Sequence, residues 1–195
     1  MASSKRWKNW LPDGDSLMAV LKVPVNSSDH VQGPDDAPLT LLEYGDYECP
    51  YCGLAHPIIK RVQRHFGERL RFVFRNFPLT QIHPNAEAAA EVAEFAGAHG
   101  RFWEMHDGLY ENQQYLGDKL YMTLATQLAL PIHELRVALA AGTYAPRIRS
   151  DFLSGVRSGV NGTPTFFINS KRHDGGFEFD DLVGALEMEY LRQAA

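Results

Sequence analysis

Cys49-Pro50-Tyr51-Cys52 is the stretch on which the reading of this chain turns, and it holds both of the chain's cysteines. Two thiols three residues apart, with proline between them, can close a small disulfide or reopen it. Just upstream, Leu39-Thr40-Leu41-Leu42-Glu43-Tyr44 is short, almost wholly apolar and bounded by Pro38 and Gly45, the pattern of a buried strand. Asp46-Tyr47-Glu48 is the turn out of it. Pro50 suits the first position of a helix, where its missing N–H would have no partner anyway. Leu54, Ile58, Ile59, Val62 and Phe66 then recur along one side of that helix until Gly67 stops it. A second strand follows from Leu70 to Phe77. Strand, helix and strand in so short a span make a βαβ unit, which predicts parallel strands joined by a right-handed crossover.

Outward from this unit, residues 1–37 read as an N-terminal arm with one short strand, Leu17 to Val25. Residues 83–159 are helical, with segments predicted at Ala86–Ala98, Phe102–Gln113, Leu120–Leu130, Pro131–Ala141 and Pro146–Val156. Strands return at Thr165-Phe166-Phe167-Ile168 and more weakly near Arg172. A last helix carries Leu182, Leu186 and Leu191, with Asp180 or Asp181 as its cap. The fold class is therefore α/β: residues 38–82 and 160–195 form one domain, and 83–159 an all-helical insertion in it.

Thiol exchange needs a thiolate to attack a sulfur and a second thiol to resolve the mixed disulfide. Cys49 falls at the cap of the helix, where the free amides of Tyr51 and Cys52 and the helix dipole favour an anion. Cys52, one turn in, is the more buried and so the resolving partner. Asp46 and Glu48 oppose the effect on Cys49, and Tyr51 offers no cation to assist it, so a lowered but not extreme pKa is expected. The same pair could instead belong to a zinc site or be inert. Two cysteines fall short of four ligands, however, and His56 adds a third without a clear fourth. Beside a βαβ pattern, CxxC points to redox chemistry, with no metal and no cofactor. Glu43, inside an apolar strand, is expensive to bury; its pKa should rise, and an acid beneath the pair can carry protons to and from Cys52. An edge-strand Glu43 facing water is the alternative. Gly162-Thr163-Pro164-Thr165 puts a proline at the start of a strong strand, which is positionally allowed. His83-Pro84 and the group Phe102, Trp103 and His106 could be site or core, with packing the stronger reading for each.

The formal charge of −5 argues against nucleic acid as a partner, because phosphate binding wants a basic stripe. No apolar run approaches the ~18 residues of a membrane span. The basic stretch from Met1 to Trp10 is not followed by an apolar signal-peptide core, which predicts a cytoplasmic protein with no membrane partner. In that compartment a close thiol pair serves chemistry or metal rather than as a staple.

Asp46-Tyr47-Glu48-Cys49-Pro50-Tyr51-Cys52, the Gly162 to Ile168 stretch and the helical insert between them resemble the DsbA-like branch of the thioredoxin superfamily. So do Phe74-Arg75-Asn76-Phe77-Pro78-Leu79, His83-Pro84 and Phe102-Trp103-Glu104-Met105-His106, and the likeness covers about residues 29 to 192. Related domains also occur fused to sodium/proton antiporters. The resemblance implies a thioredoxin fold, a central mixed sheet flanked by helices, with an inserted helical domain. It implies Cys49 as nucleophile, Cys52 as resolving thiol, Pro164 as a cis-proline facing them, and Glu43 as the family's buried acid. Thr163 would offer its backbone to an extended substrate, with Pro50 and Tyr51 at the same surface. Substrates would be disulfide- or dithiol-containing proteins or small thiols such as glutathione, with a further redox partner to recharge the pair. Two departures stand out: periplasmic DsbA oxidants carry histidine where Tyr51 stands, and they are exported. Cys-Pro-Tyr-Cys is instead similar to glutaredoxins, whose potentials are more reducing by roughly 80–110 mV, or about 4–5 kcal/mol for two electrons. Two competing functions remain from the residues alone: a redox-sensing or chaperone-like binding module with this fold, and metal binding through the cysteines.

Overall fold

A computed structural model describes residues 19–194 of the chain. Among them, five strands form one mixed sheet in the order β1-β3-β2-β4-β5. These are β1 (His30–Gln32), β2 (Leu39–Gly45), β3 (Leu70–Asn76), β4 (Thr165–Ile168) and β5 (Lys171–His173). β2 and β3 run parallel, and every other pairing is antiparallel. The parallel pair is joined by helix α1 (Pro50–Phe66), the predicted βαβ unit. Gly67 ends α1 at φ +52°, a conformation open to glycine and strained for other residues, and its N–H reaches back to the Gln63 carbonyl.

Between β3 and β4 lie α2 (Ala86–Ala98), α3 (Phe102–Glu111), α4 (Asp118–Gln127), α5 (Ile132–Ala141) and α6 (Ala145–Arg157), with a 3-10 turn at Gln113–Tyr115 after α3. Helix α7 (Phe179–Ala194) closes the fold. These inserted helices share their core with the sheet: Met105, Leu109, Tyr121 and Leu135 belong to the same buried cluster as Leu41, Ile59, Phe74 and Leu186. A smaller cluster on the opposite sheet face joins Leu21, Leu42, Tyr44, Val73, Phe77, Val160 and Phe167. The alternation of Leu41 and Leu42 between the two clusters is the period-2 pleat of a central strand covered on both faces.

Several expectations need correction. Of the arm expected at 1–37, residues 1–18 lie outside the described residues, and His30–Gln32 pairs with β3 as an edge strand of the sheet. The strand expected at Leu17–Val25 lies partly outside the described residues, and the rest makes one bridge, Val20 to Lys171. Arg75 holds this segment: its guanidinium bonds Asp29 at 2.7 and 2.8 Å and donates to the carbonyls of Val23 and Pro24. Asp180 and Asp181 sit within the first turn of α7 rather than before it. In α1 the buried stripe is Cys52, Ala55, His56, Ile59, Val62 and Phe66, so Leu54 is off it and 61% exposed. Leu191, in the last turn of α7, is likewise exposed.

Candidate active site

The thiol pair sits where β2 ends and α1 begins. Both cysteines are free thiols, with Cys49 as the residue preceding α1 and Cys52 fully buried in its first turn. Cys49 is 4% exposed, and its Sγ lies 3.2 Å from the Thr163 carbonyl oxygen, which it reaches as a thiol donor. The Thr163–Pro164 peptide is cis, and the Cys49–Thr163 contact sets the loop before β4 against the start of α1. Pro50 is exposed and Tyr51 is 63% exposed, so both lie on the rim.

The Cys49 thiol is lowered to about 5. The Cys52 thiol, as a donor to the Cys49 anion, lowers it most; partial burial opposes this, and the Thr163 hydroxyl and the amides of Cys52 and Tyr51 lower it further. The Thr163 hydroxyl is buried and has no partner among the described residues while Cys49 is a neutral thiol, which leaves it available to the thiolate. Cys52 is pushed far the other way, by burial first and then by its donation to Cys49 and the nearby Glu43 charge. The pair is thus divided into an easily ionised outer sulfur and a protonated inner one. Asp46 and Glu48 are not among the main influences on Cys49. Asp46 accepts from the amides of Glu48 and Leu79 and from His83, and Glu48 accepts from Asn85, so both carboxylates are engaged by the loop after β3.

Glu43 lies in β2 between β3 and β4, a central rather than an edge position, and is 3% exposed. Burial first, and then the Cys49 charge, raise its pKa to about 8. Gln113 is a site residue that the sequence did not flag. From the turn after α3, its Nε2 donates to the carbonyls of Tyr47 and Cys49 at 2.8 Å each, fastening the insertion to the active loop. A β-carbon at Gly53 would lie 2.4 Å from Gln113 Oε1, so glycine is what lets this amide approach. Nothing in Gln113's polar surroundings marks it; only its place in the fold does. A shallow groove of about 490 Å³ beside the pair is lined by Pro50, Leu54, Tyr110 and Gln113 among others. His83 and His106 depart from pure packing, the first bonding Asp46 and the second bonding Tyr47 inside the core. His56 turns away from the thiols toward His106 and Asp107, so it does not add to a cysteine metal site.

Comparisons with known proteins agree with this fold. The family profile described as Thioredoxin matches residues 25–188. A curated relative, Na(+)/H(+) antiporter NhaA 1 of Salinispora arenicola, is 45% identical over 167 residues; the match takes in 85% of this chain but 26% of the antiporter, so the chain spans about a quarter of that protein. Among the described residues no helix is long and apolar enough to cross a membrane. Among solved structures, oxidised BdbD from Bacillus subtilis is similar with a TM-score of 0.78 and 26% identity, covering 88% of this chain and 97% of BdbD. Alpha-DsbA1 from Wolbachia pipientis shares the fold at a TM-score of 0.75 and 20% identity, over 88% of this chain and 95% of its own. With the profile running through sheet, thiol pair and insertion alike, the chain belongs to the thioredoxin family, in its DsbA-like thiol–disulfide oxidoreductase branch.

Proposed function

We propose that this protein exchanges disulfides with protein or small-thiol substrates through the Cys49–Cys52 pair, with Cys49 as nucleophile, Cys52 as resolving thiol and Glu43 as proton carrier. The observation that carries the reading is the division of the pair: Cys49 at about 5 beside the Thr163 donor, and Cys52 buried and protonated one turn below. The Cys49 thiolate attacks one sulfur of a substrate disulfide, a new S–S bond forms, and the other substrate sulfur leaves as a thiolate. Cys52 then passes its proton to the Glu43 carboxylate and attacks Cys49 Sγ. The substrate's remaining thiolate departs; the pair is oxidised and the substrate reduced. Run backward, the same steps oxidise a substrate dithiol, and a second redox partner resets the pair.

Glu43 is timed to this sequence by charge. While Cys49 is a thiolate it helps hold Glu43 protonated. Once Cys49 is consumed in the mixed disulfide that influence vanishes, and Glu43 becomes a readier base when Cys52 must lose its proton. Thr163 and Pro164, across from Cys49, and the exposed Pro50 and Tyr51 form the surface where an extended substrate segment would lie. The test is a pair of variants assayed for disulfide reduction and dithiol oxidation. Cys49→Ser should abolish both, and Cys52→Ser should accumulate a mixed disulfide visible on a non-reducing gel. Retained turnover in Cys49→Ser would overturn the reading, and equilibration of the pair with glutathione would give its working direction.

A further inference from the structure

One cluster lies outside the thiol chemistry. His56 on α1 meets His106 and Asp107 on α3, and each brings a donor atom within 4.8 Å of the other two. His56 Nε2 is 3.6 Å from Asp107 Oδ1. That oxygen is buried and has no hydrogen-bond donor among the described residues. Asp107 Oδ2, by contrast, accepts from Lys60 Nζ at 2.6 Å. His106 is 3% exposed and engages the Tyr47 hydroxyl, 3.0 Å away, through Nδ1; with that nitrogen donating, Nε2 keeps its lone pair.

We propose that His56, His106 and Asp107 form a three-ligand site for a divalent transition ion, zinc in the first instance, pinning α1 to α3. Two imidazoles and a carboxylate with one coordination position left open are a common zinc donor set. Ligand atoms around tetrahedral zinc lie about 3.3 Å apart, given bonds of about 2.0–2.1 Å. The His56–Asp107 separation is already close to this, and the His106 donor lies within 4.8 Å of both. The ligands also have the outer partners that metal sites use to orient them: Tyr47 on His106 and Lys60 on the second Asp107 oxygen. Burial lowers the pKa of both histidines, so both rings are neutral and able to ligate at neutral pH. Lys60 works against the ion by charge. It is 33% exposed and flexible, so it can swing into solvent while the bond to Asp107 loosens. The open side at Asp107 and Lys60 is also the entry path.

The test uses untagged full-length protein carrying Cys49→Ser and Cys52→Ser, which removes the competing thiols. Titration with Co²⁺ should give one equivalent of binding with visible absorption of tetrahedral intensity and no sulfur charge-transfer band, and Zn²⁺ should displace it. Adding Asp107→Asn or His56→Gln should weaken binding at least tenfold, and Lys60→Met should strengthen it. Without further substitution, Zn²⁺ should shift the NMR ring signals of His56 and His106 ahead of the other histidines. Failure to bind a stoichiometric ion, affinity unchanged by both ligand variants, or first shifts at other histidines would overturn the proposal. Because the thiols are absent from this protein, each outcome is independent of the exchange chemistry proposed above.

Discussion

The sharpest prediction concerns the Cys49 thiol. With its pKa at about 5, about 99% of Cys49 is thiolate at pH 7, against about 1% for a thiol at the unshifted 9.0. Alkylation of the reduced protein by iodoacetamide, followed between about pH 4 and 9, should therefore rise with a midpoint near 5. The structure also divides the shift among donors. The Cys52 thiol contributes most, so Cys52→Ala should move the midpoint up furthest, whereas Cys52→Ser keeps a donor and should move it less. Thr163→Val keeps the shape and removes the hydroxyl that is unpartnered beside the neutral thiol. A hydrogen bond to a charged group is worth about 1.5–3 kcal/mol, so Thr163→Val should raise the midpoint by about one to two units. A wild-type midpoint at or above about 8 would refute this account of the site. Unchanged midpoints in both Cys52→Ala and Thr163→Val would leave the α1 amides and dipole as the sole cause.

Glu43→Gln should remove a pH-dependent cost. The folded pKa of about 8 lies above the ordinary carboxyl value of 4.5, so the native state binds more protons than the unfolded chain between these values, and stability falls as pH rises through that window. The loss amounts to up to about 5 kcal/mol by pH 8 or above, so urea melts of the reduced variant should flatten with pH, while resolution of the mixed disulfide slows. If wild-type and Glu43→Gln melts run parallel across the window, Glu43 is not the buried acid described. Arg75→Ala breaks a pair in which Arg75 and Asp29 are 1% and 2% exposed; it should cost about 3–5 kcal/mol in chemical denaturation and expose residues 23–29 to protease. Tyr110 buries a hydroxyl with no partner among the described residues, so Tyr110→Phe should be neutral or stabilising by about 1 kcal/mol, and a clear loss would point to an ordered water at that oxygen.

What could be read from the sequence was whatever neighbouring residues decide between themselves. Ala86–Ala98 begins and ends in the structure where its alanines and glutamates predict, and α1 stops at Gly67 as its glycine requires. His30-Val31-Gln32 gave no such signal, because three half-buried residues become a strand only by lying against Phe72–Phe74. Glu43 could be placed in a strand from its neighbours, but whether that strand is central or edge depends on β3 and β4, which are remote in sequence. Leu54 failed for a geometric reason: a row spaced i, i+4 winds about 40° around the helix at each step, so Leu54, at the far end of the row from Phe66, lies off the buried stripe and on the groove beside the thiols. The links that fasten the insertion to the active loop, Gln113 to Cys49 and Asn85 to Glu48, join residues about as ordinary as any polar pair in the chain.

The glutaredoxin-like tetrapeptide and the DsbA-like frame pull the redox balance of this pair in opposite directions, and the geometry shows how far each reaches. At pH 7 a thiol with a pKa of about 5 gains about 2.7 kcal/mol by ionising, all of it favouring the reduced form. That corresponds to about 60 mV toward a more oxidising pair. The gap of roughly 80–110 mV between glutaredoxins and DsbA is larger than this. Thr163, Cys52 and the α1 amides therefore supply part of what a cation at position 51 would add, and Tyr51, exposed and neutral, supplies none. Burial and the Cys49 thiolate keep Glu43 protonated, so the acid beneath the pair adds no second anion to the reduced form. A potential between the two family extremes is the expected outcome, and equilibration of the pair with glutathione measures it.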